Sequence, residues 1–129
     1  MIEEQVNEFG AVFGILAGGN VDLEGCPPGA TCITGVSRVP GGYRGGQAFN
    51  EVLLTTRKAT DKTRLFHEPQ HFYDADEVGW VLYSAAFTVS GFIHDPNHFE
   101  VRALNASRST SSQGSWVAEL SRAIRGLFR

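Results

Sequence analysis

The chain is 129 residues long, 42% of its residues are hydrophobic, and it contains nine phenylalanines and two tryptophans. This length supports one hydrophobic core and is short for two, so we predict a single domain over residues 1–129. The 14 acidic and 11 basic side chains leave a net charge of −3, which excludes a general positive field for collecting nucleic acid or an anionic membrane.

The N-terminal segment is predicted to be an amphipathic helix that Gly10 and Gly14 weaken. Its apolar residues recur at spacings of three and four, at Val6, Phe9, Phe13 and Leu16. Its acidic start lacks the basic residues and the apolar run of a secretory signal, so we predict a cytoplasmic location. The uncharged stretch at residues 78–93 is shorter than the roughly 20 residues that cross a bilayer, so no membrane partner is expected.

Residues 18–47 are crowded with glycine and proline, which predicts an irregular loop with one short strand at TCITGV, residues 31–36. Long loops of this kind in small domains are often functional. Arg38, Tyr43 and Arg44 are therefore predicted to contact a ligand or partner through guanidinium groups and free backbone amides. The alternative is a plain surface loop.

The two cysteines, Cys26 and Cys32, lie in a Pro/Gly turn. Their spacing fits neither a redox pair nor a zinc knuckle. In the cytoplasm we expect two reduced thiols, whereas export would make a disulfide the better interpretation.

Residues 49–67 predict a β-hairpin, because threonines and branched aliphatics flank a polar turn. Val52, Leu54 and Thr56 would share one face of the first strand, and Leu65 and His67 one face of the second. A helix through residues 48–58 is the alternative.

Residues 78–92 predict a central helix that is apolar nearly all round, with Asp74 and Glu77 as its capping box. A pair of core strands is the alternative, since periodicity does not separate the two. The last helix is the clearest, with a stripe at Trp116, Val117, Leu120, Ile124 and Leu127. Together these elements predict an α+β fold, with N- and C-terminal amphipathic helices around a small, mostly antiparallel sheet. A mostly α fold is the alternative.

All four histidines lie in two similar motifs, HEPQHF at residues 67–72 and HDPNHF at 94–99. The first resembles the H-E-x-x-H signature of zinc proteases over five residues, a signature that needs both histidines on one helical face. Pro69 lacks an amide donor and would press its ring on the carbonyl of Leu65, at about 3 kcal/mol in a helix interior. It also pushes Glu68 toward extended backbone. We therefore predict a turn at this motif and no metal ligands.

Each motif is expected to form a turn whose histidines face a ligand, and the candidate residues are His67, Glu68, His71, His94, Asp95 and His98. If residues 75–91 form one straight helix, its ends lie roughly 25 Å apart and the motifs cannot share a site. A hairpin of strands would instead bring them together.

The sequence favours a small binding or accessory domain that contacts a small-molecule ligand or partner at the glycine-rich loop and the histidine turns. We also expect a homo-oligomer, from the high aromatic content and the apolar C-terminal end at Leu127 and Phe128. The competing hypothesis is an enzyme that uses a metal, or a histidine with a carboxylate, for acid–base catalysis. The sequence names no cofactor.

Overall fold

The computed structural model describes residues 2–40, 45–93 and 96–127. Within them it has five α-helices, four strands and one π-helical turn, and the helices flank the sheet, which confirms the predicted α+β fold. The elements are α1 (Ile2–Leu16), β1 (Asn20–Val21), β2 (Thr31–Val36), β3 (Gly46–Phe49), β4 (Val52–Thr56), the π-helical turn (Thr63–His67), α2 (Glu68–Val78), α3 (Trp80–Ile93), α4 (His98–Ser109) and α5 (Trp116–Leu127).

The four strands form one sheet in the order β1-β2-β4-β3. The outer pairs are antiparallel and the central pair, β2 with β4, is parallel. The sheet is thus mostly antiparallel, as the sequence predicts, and β2 coincides with the TCITGV segment.

The sheet separates two apolar clusters, because successive side chains of a strand point to opposite faces. Val52 and Leu54 pack with Ile33 on the face that α1 covers, while Leu53 packs with Phe72 of α2 on the other face. This explains why β4 is buried on both sides.

Gly10 and Gly14 place α1 directly on the sheet. A Cβ at Gly10 would lie 2.8 Å from the Cβ of Phe49, and one at Gly14 would lie 2.8 Å from a methyl of Leu54. The two glycines lower helix propensity, but both are buried and allow an approach that any side chain would block.

The predicted reduced thiols are wrong, because Cys26 and Cys32 form a disulfide. The bond joins the glycine-rich loop to β2, beside the cluster of Leu53 and Phe72. The tight Pro/Gly turn that separates the two cysteines brings their backbones close enough to be bridged.

The hairpin predicted for residues 49–67 is wrong in its second half. The strand before β4, not after it, supplies the antiparallel partner, and the chain reverses at Asn50, whose φ is +55°. Helix begins beyond β4 because the Thr60 hydroxyl accepts a hydrogen bond from the Thr63 amide at 3.1 Å. Such local capping outweighs the strand preference of the following residues.

The helix predicted over residues 78–92 is present as α3, so the alternative of two core strands is wrong, and a separate helix, α2, precedes it. Gly79, with φ of +89°, ends α2 and turns the chain into α3. The predicted capping box is absent: Asp74 is buried inside α2, and Glu77 accepts a hydrogen bond from the amide of Trp116 at the start of α5.

Neither α3 nor α5 is central to the fold. Only Tyr83 and Ser90 of α3 are buried, and Leu82 and Phe92 are largely exposed. The predicted C-terminal helix α5 is present, but none of its described residues is buried. No helix in residues 2–40, 45–93 and 96–127 combines the length and apolar character needed to cross a membrane.

Candidate metal centre

The HEPQH segment is helical, so the predicted turn is wrong. Helix is continuous from residue 61 to Val78, and His67 and Glu68 both have helical backbone angles. The π-helical turn provides the physical reason, since the Glu68 amide bonds to the carbonyl of Thr63, five residues back. Hydrogen bonds that run five residues back differ from the regular α-helical pattern in which proline clashes, and Pro69 follows this turn, in the first turn of α2.

Continuous helix places His67 and His71 on one face, with ring centroids 5.2 Å apart. The carboxylate of Glu100, on α4, contacts both imidazole rings. Its Oε1 lies 2.9 Å from Nε2 of His71, and its Oε2 lies 3.4 Å from Nε2 of His67. One ligand atom from each of the three residues falls within 4.8 Å of the others, a spacing that a single ion can bridge.

The second histidine motif positions Glu100. Asn97 caps α4 by accepting a hydrogen bond from the Phe99 amide at 2.9 Å, and its side-chain amide donates to the carbonyl of Phe87 at 2.8 Å. Phe99 is buried against Tyr83 in a third apolar cluster. The bend at Gly79 lets α3 lead back to this point, so the straight helix that would hold the motifs roughly 25 Å apart is absent, and α4 contacts the first motif through Glu100.

A hydrogen bond to Tyr83 orients the imidazole ring of His71. Its Nδ1 lies 2.9 Å from the hydroxyl of Tyr83, and both side chains are buried. With Nδ1 engaged by Tyr83, Nε2 is the nitrogen that faces Glu100. Partners of this kind fix the ring orientation of metal-binding histidines.

A buried ion pair aligns the two helices that carry the site. The guanidinium of Arg102 on α4 donates to both carboxylate oxygens of Asp74 on α2, at 3.1 and 3.0 Å. Gln70 donates to Asp74 at 2.8 Å. Because Arg102 follows Glu100 by two residues and Asp74 follows His71 by three, this pair sets how the helices align near the cluster.

The pKa values in the cluster diverge. Burial raises the pKa of Glu68 from 4.5 to about 8, against the charge of His71. Burial alone would lower the pKa of His71, but its hydrogen bond to Glu100 and the nearby carboxylates raise it. Burial would raise the pKa of Glu100, but its close contacts with the imidazoles of His67 and His71 lower it to about 2. Glu100 is therefore the ionised acid of the cluster and Glu68 the readily protonated one.

The cluster opens into a cleft of about 370 Å³. Glu68, His71 and Glu100 form one wall, and β3 forms another through Gly46, Gln47 and Ala48. Gly46 allows this contact, since a Cβ there would lie 2.5 Å from Oε2 of Glu68. Among the described residues that oxygen is buried and has no hydrogen-bond partner.

The structure brings together only three of the nine predicted site residues, His67, Glu68 and His71. His98 is half exposed, 3.9 Å from Glu119, and Arg38 lines a separate pocket. Tyr43, Arg44, His94 and Asp95 lie outside the described residues. Glu100 and Tyr83 were missed, and the one sequence signal for Glu100 was its place directly after the second motif.

Comparisons with protein-family models, curated proteins and solved structures found no match to this chain.

Proposed function

We propose that this protein is a zinc-dependent hydrolase whose metal is held by His67, His71 and Glu100. The observation that carries the proposal is the convergence of two imidazoles, one helical turn apart, with a carboxylate from another helix. Two histidines and one carboxylate form a donor set typical of catalytic zinc, which keeps a fourth position for water or substrate.

The residues present fit a divalent cation. Glu100 carries negative charge at neutral pH, as the lowered pKa indicates, and it compensates half of a 2+ charge. Tyr83 already holds Nδ1 of His71, which leaves Nε2 for the ion. When bound, zinc would supply Lewis acidity and a more acidic water.

Glu68 is the proposed general base. It adjoins His67 in the helix, its Oε2 lies 3.7 Å from Nε2 of that ring, and it lines the cleft. Its carboxylate would take a proton from the attacking water and pass it to the leaving group. Burial raises its pKa to about 8 in the metal-free protein, and a bound cation would lower it toward neutrality, which suits a group that must both accept and release a proton.

Metal binding is tested by elemental analysis and calorimetric zinc titration of the untagged protein. We expect one zinc per chain, and a loss of at least about tenfold in affinity for His67→Ala, His71→Ala or Glu100→Gln. The matched control is His98→Ala, which removes a histidine outside the cluster. Equal losses in the control, or no zinc bound by the parent, would refute the centre.

Hydrolysis is tested with a library of quenched fluorescent peptides. Glu68→Gln is expected to keep zinc and to lose about 100-fold or more in rate, since the amide accepts no proton. Zinc binding with no cleavage by the parent would retain the metal centre and reject the hydrolase.

The binding domain that the sequence favours stays a second candidate. It is supported by the apolar groove of about 570 Å³ between α3, α4 and α5, which includes Val89, Ile93 and Leu120. A binding domain that self-associates through this groove would need no metal. The zinc titration and the oligomeric state therefore separate the two candidates.

The predicted cytoplasmic location stays a prediction, and the Cys26–Cys32 disulfide argues against it. Structural disulfides persist in oxidising compartments and are rare in a reducing cytosol. We propose an oxidising compartment for the mature chain. Alkylation of protein from intact cells, followed by mass spectrometry, tests this: two modified cysteines would restore the cytoplasmic prediction.

A further inference from the structure

We propose that a second pocket, at the ends of the two parallel strands, binds a soluble phosphomonoester. Three basic residues follow these strands: Arg38 after β2, and Arg57 and Lys58 directly after β4. Because β2 and β4 are parallel neighbours, with Val36 opposite Thr56, all three residues emerge at one edge of the sheet. The crevice beyond the carboxyl ends of parallel strands is a common place for ligands.

No described carboxylate compensates the charges in this anion pocket. All three cations line a concavity of about 560 Å³, and none of the described residues that line it is acidic. Within residues 2–40, 45–93 and 96–127, none of the three has a carboxylate within ion-pair distance. This local charge is positive, whereas the chain as a whole has a net charge of −3. Clustered cations in a concave surface attract anions.

The donors suit a phosphate group. Nε of Arg57 donates to the carbonyl of Gly35 at 3.2 Å, which holds the side chain and leaves its terminal nitrogens for a ligand. Planar guanidinium groups bind phosphate oxygens in pairs, and an ammonium adds a point charge. The hydroxyl-bearing residues Ser37 and Thr56 also line the pocket.

The size and the walls indicate a whole organic molecule and not a lone ion. A volume of about 560 Å³ is in the range of small-molecule sites. Val36 and Val39 supply apolar wall beside the cations, which would contact the organic part of the ligand. The pocket shares no lining residue with the metal-centre cleft, so its function is independent of the hydrolase proposal.

The test is an NMR titration of the ¹⁵N-labelled, disulfide-bonded protein in the presence of a chelator, with glycerol 3-phosphate as ligand and glycerol as the neutral control. We expect saturable shifts at residues 36–39 and 56–58 with glycerol 3-phosphate only. The Arg57→Gln/Lys58→Gln variant should raise the Kd by about tenfold or more.

The matched control is Arg122→Gln/Arg125→Gln, which removes the same charge from exposed residues of α5. An equal loss of affinity in this control would show a net-charge effect and overturn the pocket, as would shifts that do not saturate. Vesicles of phosphatidic acid test a lipid source. Binding to the vesicles without saturation by glycerol 3-phosphate would overturn a soluble ligand.

Discussion

Glu68 and Glu100 are two carboxylates of one cluster, and their surroundings give them opposite protonation behaviour. Glu100 lies 2.9 Å from Nε2 of His71 and 3.4 Å from Nε2 of His67, and these two imidazoles favour its charged form. Glu68 is buried, and its Oε2 has no hydrogen-bond partner among the described residues, which favours its neutral form. Pairs of acids whose pKa values are pushed apart are typical of catalytic sites.

We predict that the metal-free protein loses stability as pH rises from about 5 to 8, in part because of Glu68. Its pKa of about 8 in the folded state exceeds the 4.5 of an ordinary glutamate, so over this range the folded state holds a proton that the unfolded chain releases. The measurement is the free energy of unfolding in urea with a chelator at several pH values.

The Glu68→Gln variant should show a shallower fall over the same range, because it has no proton to lose. His71, whose pKa is also raised, keeps part of the slope. The exposed Glu8→Gln is the control and should follow the parent. A Glu68→Gln profile that matches the parent would contradict the assignment.

Tyr83 is predicted to tune the metal centre without touching the ion. Tyr83→Phe removes the hydroxyl that holds Nδ1 of His71, so we expect about tenfold weaker zinc binding and a loss of about 1 kcal/mol in unfolding free energy. Calorimetry and urea denaturation measure the two effects. Tyr73→Phe, at a partly exposed tyrosine of α2, should change neither.

At the scale of elements, the site is set by how α2 and α4 are held together. The pair of Arg102 and Asp74 is buried, and Arg102 also bonds to Glu119 of α5 at 2.6 Å. Three helices therefore meet at one guanidinium. The cluster of His67, His71 and Glu100 lies on the same pair of helices, so its spacing depends on this contact.

Arg102→Met is predicted to lower the unfolding free energy by about 3 to 5 kcal/mol, because it leaves Asp74 buried without its cation. Zinc affinity should fall with it, since Glu100 loses its alignment. Thermal and urea denaturation measure the first effect and calorimetry the second. The control is Arg108→Met on the exposed part of the same helix, and a comparable loss there would show that the effect is not specific to the pair.

Local sequence pattern was enough to predict some of the helices and strands, but not all of them. The strand at residues 31–36, the strand after Asn50 and the helices at both ends were all predicted from local sequence pattern. Of the site, only His67, Glu68 and His71 were predicted, because two features of the backbone decide the rest. A π-helical turn accommodates Pro69, and a glycine bend at Gly79 returns the chain so that Glu100 reaches His71. The π-helical turn was not predicted because the rule for proline applies to a regular α-helix. The bend at Gly79 was not predicted because the hydrophobic pattern of residues 78–93 gives no sign of it.

At the scale of the whole molecule, apolar surface is unevenly distributed. The sheet is covered on both faces, yet α3 and α5 expose large apolar side chains. These are Val81, Leu82, Val89, Phe92 and Ile93 on α3, with Leu120, Ile124 and Leu127 on α5. Val89, Ile93 and Leu120 line one groove, and an exposed apolar groove is typical of an interface. The predicted homo-oligomer stays a prediction, and this surface is where we expect it to form.

Leu120→Glu is predicted to shift a concentration-dependent dimer to monomer, because it places a charge in the apolar groove. Light scattering coupled to size-exclusion chromatography measures the mass over a range of concentrations. Leu23→Glu, at an exposed leucine of the glycine-rich loop, is the control and should leave the mass unchanged. A monomeric parent at every concentration would contradict the prediction.

The π-helical turn before α2 limits which deletions and substitutions this segment tolerates. Its extra residue and Pro69 compensate for each other: deleting one residue from 63–66 would restore regular helix and press the carbonyl four residues before the proline against its ring. Replacing Pro69 by alanine would remove that conflict, so the deletion should be far more harmful with the proline than without it. Length variation in this stretch and the identity of residue 69 are therefore expected to change together or not at all.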